Sequence, residues 1–327
     1  MNSVLRFILV CALVLAAPQF IFAYAEQTSG GTVFSNVSPS APSPREQVTI
    51  ELDLSPSFLR GAAIEWRENG SLVSRGIEQS TYTFNVGNAG VQTDIEAFIQ
   101  PRGQREIVKT FQINPGRVDI LVDAHTTTPR WYRGAPQISP ESIVHLSAIP
   151  EARTTKGKAL ETKDFIYTWR DGTTVLLSGY GKSSLEITGP LFGISQTISV
   201  LITDSTNIIT AYNDLTIEST QPQIFYYEVD PLIGTITNRA SGFDFVKTDE
   251  ITLKAEPYSF SVNEPLTYAW SIKDTPVEPK ASNPQLLTIR RGAENYSEAI
   301  VSTIIENMVS LLQRAESFLT LQFESKS

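Results

Sequence analysis

Few residues in this sequence are of a type that does chemistry. There are two histidines, His125 and His145, one cysteine, Cys11, and 35 aspartates and glutamates in 327 residues. A zinc site draws three or four ligands from His, Cys and carboxylate at short spacings. His145 falls in an expected strand and His125 in the loop after 118–122, and no cysteine is available to complete a zinc site, so no metal ligand is expected. No His-Glu-x-x-His, Gly-x-Ser-x-Gly, Walker A or EF-hand loop occurs. Carboxylates are plentiful enough for a glycosidase pair, but no module of the chain is enlarged to house one. The expectation is therefore no catalytic residue, no cofactor and no enzyme. What remains is Pro129-Arg130-Trp131-Tyr132-Arg133-Gly134. Its Arg130, Trp131, Tyr132 and Arg133 are candidate contacts for a ligand or partner, because aromatic and Arg side chains dominate binding hot spots. Packing at the junction of the first and second modules, or in an early strand of the second, is the alternative.

The elements that must carry these residues are set by the other tryptophans. Trp66, Trp169 and Trp270 recur at intervals of about one hundred residues, the size of one β-sandwich domain. Each sits in a similar strand-like setting: Ile64-Glu65-Trp66, Tyr167-Thr168-Trp169 and Tyr268-Ala269-Trp270. Upstream of each lies an alternating, β-branched run (48–52, 143–148, 251–255), the mark of a half-buried strand. Asn69-Gly70 and Asp171-Gly172 close the first two Trp strands with residues that reach positive φ cheaply. About eighteen residues past each Trp comes another strand (82–86, 185–187, 286–289), followed by Gly87, Gly189 and Gly292. Each module then ends in a hairpin: 93–99 with 106–113, 197–202 with 208–217, and 299–305 with 311–323.

The last hairpin is ambiguous by itself. Ile300, Ile304, Met308, Leu311 and Leu312 also fit helical spacing, and Gln313-Arg314-Ala315-Glu316 favours helix. The repeat overrides that local preference, and strands are expected. The three Trp are read as core plugs between two sheets in sandwiches that have no disulfide to staple them.

Proline, glycine and polar residues cluster at Asn114-Pro115-Gly116 and Ser219-Thr220-Gln221-Pro222. These clusters divide the chain into 33–114, 115–220 and 221–327. Ahead of them, 26–32 reads as a flexible spacer and 1–25 as a signal peptide. In the latter, Arg6 precedes an apolar run, Pro18 breaks it, and Ala23-Tyr24-Ala25 fits a cleavage site before Glu26. An uncleaved anchor is the alternative, although the apolar run is shorter than the roughly 20 residues of a spanning helix. Cys11 lies within that run in the wrong setting for lipidation, and no further membrane span is expected in the mature chain. The formal net charge is −9, which offers no footprint for nucleic acid.

Tyr167-Thr168-Trp169-Arg170-Asp171-Gly172, Tyr268-Ala269-Trp270 and the closing hairpins resemble tandem PKD-like and other immunoglobulin-like repeats of bacterial secreted proteins, over about residues 33–323. The runs after the Trp depart from the Asp-Phe-Gly-Asp-Gly type, so no calcium site carries over. The fold expected is all-β: three tandem immunoglobulin-like (PKD-like) sandwiches after a signal peptide. The resemblance implies an exported structural or adhesive protein, extracellular, cell-surface or periplasmic, whose partner is a protein or glycan. Alternatives are a carbohydrate-binding or pilus-associated module with its site at Trp131-Tyr132, and an accessory to a secreted glycosidase.

Overall fold

The computed structural model describes residues 33–129, 131–152, 160–280, 282–291 and 298–324. The proposed signal and spacer (1–32), Arg130 and Gly292 lie outside the described residues.

Apart from a helical turn at Pro56–Leu59 and a 3-10 turn at Thr162–Asp164, the regular structure is β. The first set of strands is β1 (Phe34–Ser38), β2 (Gln47–Asp53), β3 (Ala63–Glu68), β4 (Ser71–Ile77), β5 (Thr81–Asn85), β6 (Thr93–Gln100) and β7 (Ile107–Pro115). The second is β8 (Arg117–Ala124), β9 (Ile143–Glu151), β10 (Ile166–Asp171), β11 (Thr174–Tyr180), β12 (Ser184–Thr188), β13 (Ser195–Thr203) and β14 (Ile209–Glu218). The third begins with β15 (Gln223–Asp230), β16 (Gly234–Thr235), β17 (Phe243–Val246), β18 (Glu250–Tyr258) and β19 (Leu266–Ile272). It ends with β20 (Thr275–Val277), β21 (Leu286–Arg290), β22 (Glu298–Asn307) and β23 (Arg314–Phe323).

The strand orders are those of immunoglobulin-like sandwiches. In the first set β1-β2-β5 faces the β7-β6-β3-β4 end of a longer sheet. The second set supplies β12-β9-β8, and the third supplies β16-β15-β18-β21 with β17-β23-β22-β19-β20. The longer sheet runs β11-β10-β13-β14-β7-β6-β3-β4. Its joint is a short parallel pairing, Ile209 with Asn114 and Thr210 with Pro115. By compactness the chain divides into Met1–Val118 with Pro150–Leu176 and Leu201–Tyr212, and Asp119–Ile149 with Leu177–Val200 and Asn213–Ser327. Both connections between strand sets therefore lie inside a unit.

Alternation decides what each strand buries. On β2 the inward residues are Val48, Ile50 and Leu52, and they join Trp66, Phe84, Ile95, Ala97, Ile99 and Phe111 in one core. In the third set Leu253 and Ala255 of β18 meet Tyr226, Trp270, Val301, Ile305, Leu319 and Leu321. Trp66 and Trp169 are 0% exposed and Trp270 3%. Trp66 stacks on Tyr82 with centroids 5.5 Å apart, and Tyr82 stacks on Phe84 at the same distance.

Within 299–316 the structure is two strands, 299–307 and 314–316, joined by a loop, and not a helix, as the repeat demands. The turn falls later than the sequence suggests: β22 continues through Asn307 and β23 starts at Arg314. The reason is a side chain. Asn307 Oδ1 accepts from Val309 N (2.9 Å) and Ser310 N (3.1 Å), which folds 308–313 into a compact loop. The Trp-strand hairpins also differ by a residue. Asn69 and Gly70 carry positive φ in the first set. In the second the loop is Gly172-Thr173, with Gly172 at φ 54.

Candidate functional site

The segment that did not repeat, around Trp131, is part of the β8–β9 connection, residues 125–142. Its start is laid as backbone against the third set. Thr127 N donates to Phe260 O (2.6 Å), Ser259 N to Thr127 O (2.9 Å) and Val262 N to His125 O (3.1 Å). The Thr127 hydroxyl donates to Pro257 O at 3.1 Å and accepts from Phe260 N at 3.1 Å.

From there the chain carries Trp131 and Tyr132 onto the outer face of β15 and β18. Alternation on β15 turns Ile224 and Tyr226 into the core, so Phe225 and Tyr227 point the other way. On β18 the outward partners are Lys254, opposite Tyr227, and Glu256, opposite Phe225. Trp131 meets Tyr227 edge to face at 5.2 Å, and Lys254 Nζ lies 5.6 Å from the Trp131 ring centroid. Lys254 is itself paired to Glu256 at 2.6 Å. Tyr132 meets Tyr258 edge to face at 5.8 Å. Tyr258 in turn contacts Phe225 at 4.7 Å and shares a 2.8 Å hydroxyl bond with Tyr227. Burial, and then that bond, hold the Tyr258 phenol far above its ordinary value. Gly134 lies against the end of the Tyr132 ring, which a Cβ there would push aside.

Trp131 and Tyr132 are thus brought together with the third sandwich, one junction further along than packing between the first two modules. Arg133 is exposed. Among the described residues the buried Trp131 Nε1 has no acceptor. The core tryptophans Trp66, Trp169 and Trp270 lie inside their strands and are buried. The sequence held one signal for the arrangement. Phe225-Tyr226-Tyr227 is an aromatic run at the start of the third set, and its Tyr227 is the partner of Trp131.

The remaining chemistry-bearing side chains also meet. His125 and His145 make an edge-to-face contact at 4.4 Å. Asp123 lies 4.0 Å from His125 Nε2 and Glu186 3.7 Å from His145 Nδ1. Among the described residues no group of three or more His, Cys, Asp or Glu is placed to hold a metal ion. No helix among them is long and apolar enough to cross a membrane.

No protein-family model matches this sequence, and no curated protein matches it. Solved structures do. The three N-terminal domains of the bacteriophage RB49 highly immunogenic outer capsid protein align over 93% of this chain and 100% of theirs, at 12% identity and a TM-score of 0.27. The central fibronectin-III array of RIM-binding protein aligns over 90% and 96%, at 13% identity and a TM-score of 0.33. The fibronectin(III)-like modules of Clostridium thermocellum CbhA align over 57% and 95%, at 14% identity and a TM-score of 0.27. The class of this chain rests on its own strand pairings: it is a tandem immunoglobulin-like β-sandwich protein.

Proposed function

We propose that this chain is an exported, non-enzymatic structural or adhesive protein, built of divergent PKD-like sandwiches at 33–114, 115–220 and 221–327. A signal peptide, 1–25, directs it to the cell surface, the periplasm or the medium. The observation that supports a structural role best is the fate of the Trp131 cluster. The aromatic residues that would make a ligand platform are turned onto the chain's own third sandwich, where Tyr227 is buried. Such a contact sets the placing of modules, which is what a spacer requires.

Export is tested by expressing the chain from its own start in a bacterial host and sequencing the recovered protein. An N-terminus at Glu26 in the periplasmic or surface fraction is expected. A cytoplasmic chain beginning at Met1 overturns the export reading.

A glycan- or protein-binding role is the second reading, because Tyr132 keeps 41% of its surface and Arg133 is exposed. A glycan array probed with wild type and Tyr132→Ala separates the two. Binding that the substitution removes would favour the second reading, and no binding by either protein leaves the structural one.

A further inference from the structure

Connections longer than roughly 12–15 residues without secondary structure of their own are uncommon in compact domains and usually have a task. The β8–β9 connection, described at 125–129 and 131–142, is of that kind. We propose that it is a strap that makes the β8-β9-β12 sheet and the third sandwich one cooperative folding unit, with Gln313 as its pin.

Gln313 lies in the loop between β22 and β23 and is 0% exposed. The two N–H of its Nε2 group donate to Pro140 O (2.7 Å) and Ser261 Oγ (2.8 Å), with Ser139 Oγ also within reach at 3.2 Å. Its Oε1 accepts from Ser261 N (2.7 Å) and Asn307 Nδ2 (2.9 Å). The amide is therefore satisfied from two sides: by the strap through Ser139 and Pro140, and by the third sandwich through Ser261 and Asn307. Separating the two sides strands buried polar groups on both, which makes partial opening costly.

The strap is held at its own root as well. Ser142 Oγ donates to Ser139 O at 2.8 Å, and Gly189, directly after β12, donates to Ser142 O at 2.7 Å and accepts from Glu141 N at 3.2 Å. No larger residue fits at Gly189, where a Cβ would strike Ser139 O. Glu141 Oε2 then accepts from Leu312 N at 2.9 Å, beside Gln313. Between root and tip, Thr126 bridges to Ser261 in antiparallel fashion, and Trp131 with Tyr132 covers the outer face of β15 and β18. Modules in tandem arrays ordinarily meet through small polar interfaces and open independently. Here a buried amide, a backbone bridge and an aromatic clamp act on one interface.

Native-state hydrogen exchange on the full chain tests this. In the wild type, the slowest amides of β9 and β12 and those of β18 and β22 should open in one step with a single urea dependence. Gln313→Ala should lower protection in all four strands together, by about tenfold or more. Trp131→Ala should lower it in the same concerted way, and its side chain fills neither sandwich core, so it serves if Gln313→Ala does not fold. The proposal is overturned if β9 and β22 open with different urea dependences in the wild type. It is equally overturned if either folded variant changes exchange only in 125–142 and 308–313.

Discussion

The core indoles of Trp66 and Trp270 each have a carbonyl waiting for their N–H. Trp66 Nε1 donates to Gln79 O at 3.0 Å, 13 residues on, and Trp270 Nε1 to Pro284 O at 2.9 Å, 14 residues on. The tryptophans were legible from their spacing. Their acceptors were not, because a carbonyl carries no sequence mark. Tyr226 shows the same limit. Alternation says that one of Tyr226 and Tyr227 faces inward without saying what its hydroxyl would find, which is Ser317 O at 2.7 Å. Burial pushes the Tyr226 phenol up to about 12 from an ordinary 10.0, against the opposing effect of its hydrogen bonds. Tyr82 and Tyr268 are raised to about 12 as well, again chiefly by burial. Above pH 10 the unfolded chain releases these protons while the folded chain keeps them. Stability that is fully present below pH 10 is thus lost as pH rises through 12. Tyr226→Phe should cost about 1 kcal/mol at neutral pH through the missing bond, yet fall less steeply between pH 10 and 12. Urea midpoints across that range measure both effects, and equal slopes for variant and wild type would refute the assignment.

At the level of elements, the repeat outweighed local preference where the two disagreed. Segment 299–316 has helical spacing, but β22 and β23 alternate against each other with Val301 opposite Leu319 and Ile305 opposite Ala315, all four buried. The strap had no such guide. Its partners lie up to 174 residues away, as Gln313 does from Ser139, and neither periodicity nor turn chemistry links such distant positions. Turns show where the third module departs from the first. Asn69 and Gly70 enter the β3–β4 turn at φ 49 and 78, whereas the β19–β20 turn uses Lys273 and Asp274 at φ 48 and 62. Both positions of such a turn lie in the left-handed region, which a side chain disfavours and glycine does not. Asp274→Gly should therefore stabilise the third sandwich by about 0.5–1 kcal/mol. A rise in the urea midpoint of the transition in which the β22 amides open, followed by hydrogen exchange, is the expected result, and an unchanged or lowered midpoint is the contrary one.

Across the whole molecule, the connections between strand sets read as linkers in composition and behave as structure in their bonds. Gly116 alone separates β7 from β8. Its N–H donates to Thr210 O at 2.7 Å, and Asn114 N donates to Ile208 O at 3.1 Å. A Cβ on Gly116 would lie 3.1 Å from Ala211 Cβ and 3.2 Å from Thr210 O. Glycine is there for close approach as much as for flexibility. The second connection is bonded likewise, through Ser219 Oγ to Pro190 O at 2.6 Å and Thr220 N to Ile138 O at 2.7 Å. Proline and glycine mark both flexible linkers and tight crossings, so composition could not tell these apart. Proteolysis can. Arg117 is exposed and follows Gly116 directly, and in a flexible linker it would be an early tryptic site. A protease needs several residues of freed backbone, and here these would have to come out of β7, β8 and their bonds to 208–210. Limited trypsin digestion of the native chain should leave the Arg117-Val118 bond intact until global unfolding. Two glycines inserted after Gly116 should make it an early site. Early release of a fragment ending at Arg117 from the unaltered chain would show a loose connection and contradict this reading of 114–117.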